Sequence, residues 1–259
     1  MTWGFKKRLM NSTVVSLIVF ACVFGGALLG VWLRSVLPQH HLKAASKDIV
    51  RLGMGLVGTM AALVLGLLVA SAKGSYDAQS NDITQLSANV VFLDRVLAHY
   101  GPESKETRDQ LREMVGRIRD RVWPGNHSGN ARLEPASANE AFYVQIRQLS
   151  PKDKAQRSLR KQALRIANGV LLTRWLMYEQ GANPVPVPML VILVLWLTII
   201  FVSFGLFAPR NATVVASLFV SALSVSCAIF LILEMYRPFE GMIQISSTPL
   251  TMALAHLGK

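Results

Sequence analysis

Four apolar segments of the chain are each long enough to cross a lipid bilayer. They cover residues 13–33, 52–72, 188–207 and 213–233, and each is close to the about 20 residues that a membrane-spanning helix needs. None of the four contains Asp, Glu, Lys or Arg. The segments come as two close pairs separated by a long polar stretch, so the sequence predicts an integral membrane protein with one inserted polar domain.

The composition agrees with this class. Hydrophobic residues make up 52% of the chain and charged residues 16%, and the mean hydropathy is +0.37, which is too apolar for an ordinary soluble domain. We expect an all-α protein. Residues 1–72 hold the N-terminal tail and the first helix pair, 73–187 a helical cytoplasmic domain, 188–233 the second pair, and 234–259 a C-terminal segment.

A net charge of +12 is a feature of many nucleic-acid-binding proteins. The basic residues are spread through the polar domain and tails, without base-stacking aromatics or a known motif, so no nucleic-acid partner is predicted. Lys6, Lys7 and Arg8 precede the first span and favour a cytoplasmic N-terminus in the inner membrane. With four spans, both termini and the central domain then share that side, although the basic residues of loop 34–51 favour the opposite orientation.

Beyond residue 72 the apolar positions follow a strict stripe, with spacings of three and four residues. Its members are Ile83, Leu86, Val90, Leu93, Leu97 and Tyr100. This pattern predicts that the second span continues as one long helix whose seam packs outside the membrane, until Gly101 and Pro102 end it. Later stripes predict further helices, so the central domain is expected to be a helical bundle.

The first two spans also carry small residues at four-residue spacing, namely Gly26, Gly30, Gly58, Ala62, Gly66 and Ala70. In lipid, such stripes let two helix backbones approach closely, and that contact supplies association energy. We predict that these positions are helix-packing sites.

No catalytic, cofactor or metal site is predicted, and the chain is not expected to be an enzyme. Gly53, Gly55 and Gly58 match a dinucleotide fingerprint in letters, but they open a membrane helix instead of following a strand. His40 and His41 are adjacent, and no Cys or carboxylate nearby completes a metal site. The histidines and carboxylates of the polar domain form no recognisable triad or phosphate loop.

The segment that follows the fourth span contains the clearest candidates for functional residues. Glu234 stands at the membrane edge, where an isolated carboxylate is unfavourable. Arg237 is three residues away, within reach of an ion pair on a helix. Pro238 then ends or kinks the helix and leaves Glu240 at a bend. Either these residues anchor the helix end as an interfacial ion pair, or Glu234, Arg237, Pro238 and Glu240 form a gate or ion contact.

Several of these residues fall in motifs that resemble one bacterial family over most of the chain. The motifs are Leu93-Asp94-Arg95-Val96-Leu97, His99-Tyr100-Gly101-Pro102, Trp123-Pro124, Arg174-Trp175-Leu176, Gly205-Leu206-Phe207-Ala208-Pro209-Arg210-Asn211, and Glu234-Met235 through Arg237-Pro238-Phe239-Glu240-Gly241, with Pro249-Leu250 beyond. The chain is similar to the DUF4239 family of bacterial membrane proteins, described as having a bestrophin-like domain.

The resemblance implies a fold and partners. Bestrophins are oligomeric anion channels with two membrane helix pairs around a cytoplasmic helical region, so the implied partners are the lipid bilayer, further copies of the chain and anions. Where bestrophins have an aromatic-rich neck, the second span here contains Gly, Ala, Leu and Val. A ring of Leu or Val from several subunits could form a gate that closes by dewetting.

Two functions follow as hypotheses. A homo-oligomeric ion channel would be lined by the second spans and would conduct ions as purified protein. A membrane-anchored scaffold or sensor would bind a partner through the helical domain and would conduct none.

Overall fold

The computed structural model describes residues 12–36, 44–123, 137–181, 186–209, 211–239 and 241–259. Several residues named above lie outside these ranges: Lys6, Lys7, Arg8, His40, His41, Pro124, Arg210 and Glu240. The described secondary structure is all helical, as the sequence predicts. The helices are α1 Ser12–Val36, α2 Ala44–Tyr100, α3 Lys105–Val122, α4 Ser137–Gln148, α5 Lys154–Gly181, α6 Val187–Phe207, α7 Ala212–Met235 and α8 Thr248–His256, with a 3-10 turn Pro102–Ser104 before α3.

The four predicted spans lie in α1, α2, α6 and α7, which are the described helices long and apolar enough to cross a membrane. The second span runs on without a break to Tyr100, as the stripe predicts. The chain divides into two units. The first contains residues 1–74 and 184–236, and the second contains 75–183 and 237–259. The C-terminal segment therefore belongs to the helical unit from residue 237 onward.

In the membrane unit, α1 packs along α6 at a close approach made by glycines. A Cβ on Gly26 would lie 2.9 Å from Thr198 Cγ2, and one on Gly30 would collide with the carbonyl of Val202 and lie 2.9 Å from Leu206 N. On the facing helix, a Cβ on Gly205 would collide with the carbonyl of Ala27. Only residues without a side chain permit this distance between the two backbones.

Aromatic rings fill the space between α1 and α7. Phe20 and Phe24 stack with centroids 5.6 Å apart, and Phe219 meets both edge-on at 5.5 and 5.4 Å. Such edge-to-face pairs are favourable beyond the area they bury. They hold the first and fourth spans together, whereas the second span packs in a separate apolar cluster.

The helical unit has one apolar core built on the seam of α2. Five of the six predicted seam residues, from Ile83 to Leu97, are buried there together with residues of α3, α4, α5 and α8, and the sixth, Tyr100, is buried as well. In the C-terminal segment, the spacing of Leu250, Leu254 and Leu257 predicts an amphipathic helix, either at the membrane interface or on the bundle. The structure shows it on the bundle, since Leu250 of α8 and Leu257, the residue after the helix, are buried in this core.

An ion pair and its hydrogen bonds connect α2, α3 and the C-terminal residues of the helical unit. Asp94 accepts two hydrogen bonds from Arg108, Nε to Oδ1 at 2.7 Å and Nη2 to Oδ2 at 2.9 Å. The same carboxylate accepts a bond from the Gly258 amide at 3.3 Å, and Arg108 donates to the Lys259 carbonyl at 3.2 Å. This buried ion pair therefore ties α2, α3 and the C-terminal residues together.

Candidate functional site

The membrane-spanning part of α2 exposes most of its apolar surface. Only 11% of this span is buried within the chain, against 22–28% for the other three. One face, with Ala61, Leu68 and Ala72, packs on α6 and α7. Another face is exposed and carries large side chains, at Leu52, Leu56, Leu63 and Leu67. A charge-free helix that leaves this much surface uncovered is suited to contact lipid, a pore or another copy of the chain.

The small residues of α2 border this exposed face. Ala62, Gly66 and Ala70 are exposed and Gly58 is half-buried, and a Cβ on Gly58 or Gly66 would meet nothing within 4 Å in the described chain. Gly26 and Gly30 differ, because they are buried against α6. Two stripes that look alike in the sequence thus lie in different places, one inside the chain and one on its surface.

The end of the fourth span buries a carboxylate. Glu234 is 5% exposed and follows the buried Ile232 and Leu233. Two residues on, the Tyr236 hydroxyl lies 3.0 Å from Ser71 Oγ, which joins the end of α7 to the end of the second span. Ionisable groups held at a membrane edge are rare, and they commonly mark ion pathways or gates.

Arg237 and Pro238 begin the C-terminal part of the helical unit. The Pro238 carbonyl accepts a hydrogen bond from Ile245 N at 2.9 Å, and the Arg237 carbonyl accepts one from Gly241 N at 3.1 Å. These bonds close the bend that proline was predicted to make after α7, which ends at Met235. Glu240, the fourth member of the predicted gate, lies outside the described residues.

The Trp123 side chain supports this bend. Its indole Nε1–H donates to the Ile245 carbonyl at 2.8 Å, and its ring lies edge-on to Phe239 with centroids 6.0 Å apart. Tyr76 adds a bond from its hydroxyl to the Gln244 carbonyl at 3.4 Å. The segment after Glu234 is therefore held in place by residues distant in sequence.

Sequence reasoning missed the partners of this segment. Ser71, Tyr236 and Ile245 carried no pattern of their own, and each is joined to a residue more than a hundred positions away. Trp123 did carry a signal, since it stands in one of the family motifs. In the described ranges no three His, Cys, Asp or Glu side chains come close enough to hold a metal ion.

Comparisons with known proteins agree on one family and one fold. A family model described as "Bestrophin-like domain" matches residues 21–250. The fold is similar to the crystal structure of a point mutant of a bacterial bestrophin homologue from Klebsiella pneumoniae, with a TM-score of 0.63 and 14% sequence identity over 93% of this chain and 96% of that one. No curated protein sequence matches significantly.

Proposed function

The chain belongs to the bestrophin-like domain family, and from this premise we propose that it forms a homo-oligomeric ion channel lined by α2. The relative with the similar fold is named as a bestrophin homologue, and the family points to channels rather than to enzymes. Chloride or another anion is the first permeant ion to test. We further propose the inner membrane as the location, with both termini and the helical unit in the cytoplasm.

The exposed surface of α2 is the observation that carries this proposal. Leu63 is 75% exposed and Leu56 65% in the single chain, while Ala62 and Gly66 on the adjoining face leave a shallow groove. Lipid tails cover large side chains well, whereas a groove of small residues is better filled by a second helix. Copies of α2 that pack through the groove would turn their Leu faces toward a common axis.

A ring of leucines on that axis would act as a hydrophobic gate. Beyond the membrane span, α2 exposes polar side chains at Asn81 and, three and four residues later, at Thr84 and Gln85. These residues would give ions a wet path outside the gate. We propose that Glu234, Arg237, Pro238 and Glu240 contact ions or control the gate from the end of the fourth span.

Substitution of Leu63 by serine tests the gate. Since a polar side chain lowers the barrier to wetting, chloride flux through liposomes with the purified Leu63→Ser protein should rise several-fold above the wild type. Leu195→Ser is the matched control, because Leu195 is also an exposed leucine of a span but lies on α6. Equal flux in the two variants would contradict a pore on this face of α2.

Substitution of Glu234 by glutamine tests the predicted gate segment. Loss of a negative charge beside the ion path should raise chloride permeability relative to potassium, which a shift of the reversal potential toward that of chloride would show. Glu113→Gln, which removes an exposed carboxylate of α3, should leave the ratio unchanged. An unaltered ratio of chloride to potassium permeability in Glu234→Gln would show that this residue does not lie beside the ion path.

The scaffold hypothesis rests on a different surface. Leu172, Trp175 and Leu176 share one exposed face of α5 in the helical unit, outside all four spans. An apolar patch of this kind is typical of a protein contact. If folded and inserted protein conducts neither chloride nor potassium, the channel proposal fails and this patch becomes the place to search for a partner.

A further inference from the structure

The exposed side of α5 carries a row of basic residues, which we call the basic face. Arg157, Lys161 and Arg165 follow one another at four-residue spacing, and all three are exposed, so they share one side of the helix. The chain contains no Asp or Glu from residue 154 to residue 178. Among the described residues, none of the three bases has a carboxylate within ion-pair distance. The basic face is therefore not neutralised within the described part of the chain.

The same side of α5 continues into an apolar patch. Leu172 and Trp175 lie seven and ten residues beyond Arg165, and both are exposed. Helical spacing places them on the side of the basic face. A surface that combines large exposed apolar side chains with a charged border is typical of a contact between proteins.

α3 exposes two carboxylates that complement this surface, and we call them the acidic face. Glu106 and Asp109 are three residues apart and both are exposed, so they share one side of the helix. Neither forms an ion pair with a described residue. The next carboxylate on this side, Glu113, is already paired with Arg117. The acidic face therefore consists of Glu106 and Asp109 alone.

The two charged faces point away from the core of the helical unit. α3 buries Leu111 and Val115, and α5 buries Ala163 and Ala167, in one common apolar core. In each helix the charged face lies on the side opposite these buried residues, as the helical period requires. α4 contacts both helices. The acidic and basic faces therefore point outward from two different helices, where each can meet another copy of the chain.

The two faces lie at the same height along α2. α3 is bonded to Asp94 through the residue before Asp109, and Gln156 at the start of α5 donates to the Tyr100 carbonyl. Both helices then run back along α2, since their buried residues share a core with its seam. At a rise of 1.5 Å per residue, Lys161 lies about 8 Å back from Tyr100, which is within about 3 Å of the height of Asp109.

We propose that the basic face of α5 binds the acidic face of α3 on a neighbouring copy of the chain. The contact rests on the homo-oligomer proposed above and identifies the surfaces of the helical unit that meet in it. Rotation about an axis along α2 leaves the height of every residue unchanged, so only faces of equal height can meet around a ring. Since the two faces differ, each copy uses both, as a closed ring requires. Opposite charges favour this pairing over contact between two basic faces.

Carbodiimide cross-linking tests the contact directly, because the reagent joins a lysine amine to a carboxylate only where the two touch. In purified oligomers, peptide mass spectrometry should find Lys161 joined to Glu106 or Asp109 in the dimer band of a denaturing gel and not in the monomer band. Lys161→Arg keeps the charge but has no reactive amine, so it should assemble like the wild type and lose this cross-link. Bonds from Lys161 to α3 in the monomer band alone, or in neither band, would overturn the proposal.

Reversal of the charges is the second test. Lys161→Glu with Arg165→Glu makes the two faces repel, and Glu106→Lys with Asp109→Lys does the same from α3. In each double variant the oligomeric fraction, measured by light scattering in detergent, should fall several-fold. The chain with all four substitutions again has opposite charges and should recover the wild-type fraction. Arg147→Glu, which reverses an exposed base of α4, should assemble normally.

The outcomes separate this contact from the channel itself. A wild type that is monomeric in both detergent and lipid nanodiscs would overturn both proposals. Oligomers that keep their size in every charge variant and show no cross-link to α3 would overturn only the contact between α3 and α5. Loss in both double variants without recovery in the fourfold variant would also overturn it, since recovery separates lost pairing from lost folding.

Discussion

Gly30→Ala is expected to reduce the yield of folded protein more than any other glycine-to-alanine substitution in the first span. The new Cβ would collide with the Val202 carbonyl and lie 2.9 Å from Leu206 N. Because both atoms belong to the backbone of α6, no rotation of a side chain relieves the contact. The two helices must move apart, and overpacking of this kind typically costs about 1–3 kcal/mol or more.

The measurement is the yield of monodisperse protein and its thermal unfolding midpoint in detergent. Gly25→Ala is the matched control, since a Cβ there meets nothing within 4 Å in the described chain. That variant should be neutral or slightly more stable, because alanine has the higher helix propensity. Gly205→Ala approaches the same contact from α6 and should reproduce the loss. Equal stability of Gly30→Ala and Gly25→Ala would show that α1 and α6 do not meet as described.

Asp94→Asn is expected to cause the second large loss, this time in the helical unit. The Asp94 side chain is 2% exposed and that of Arg108 18%, and two hydrogen bonds join them. Without the negative charge, Arg108 stays as an uncompensated cation at the edge of the core. Removal of one partner from a buried pair costs about 3 kcal/mol.

Glu113→Gln serves as the comparison, because its ion pair with Arg117 is exposed on both sides. Exposed pairs of this type contribute at most about 0.5 kcal/mol. Free energies of unfolding in denaturant should therefore separate the two variants clearly. In Asp94→Asn, hydrogen exchange should also increase at the Gly258 amide, which donates to the lost carboxylate oxygen. Similar stability of the two variants would contradict the role given to this ion pair.

Local patterns in the sequence predict much of the fold. Apolar length alone locates the four spans, because a lipid environment requires each crossing segment to satisfy its own backbone. The seam Ile83 to Tyr100 is also correctly predicted, since three- and four-residue spacing places its members on one side of a helix. Proline at position 102 likewise marks the end of α2 and the start of the following 3-10 turn.

Sequence patterns predict much less of the candidate sites. Glu234 could be identified from its position at a span edge, but the link between Tyr236 and Ser71 could not, as 165 positions separate them. The same is true of Trp123 and Ile245, which 122 positions separate. No periodic pattern records such contacts.

The sequence by itself determined the fold class, the four spans, the long helix α2 and the family, because each depends on properties of neighbouring residues or on motifs along the chain. The tertiary structure alone decided that Gly26 and Gly30 meet α6 while Gly66 and Ala70 remain exposed. Both stripes have the same spacing, and spacing shows only which residues share a face. What that face contacts depends on how the helices pack, which is a property of the whole unit.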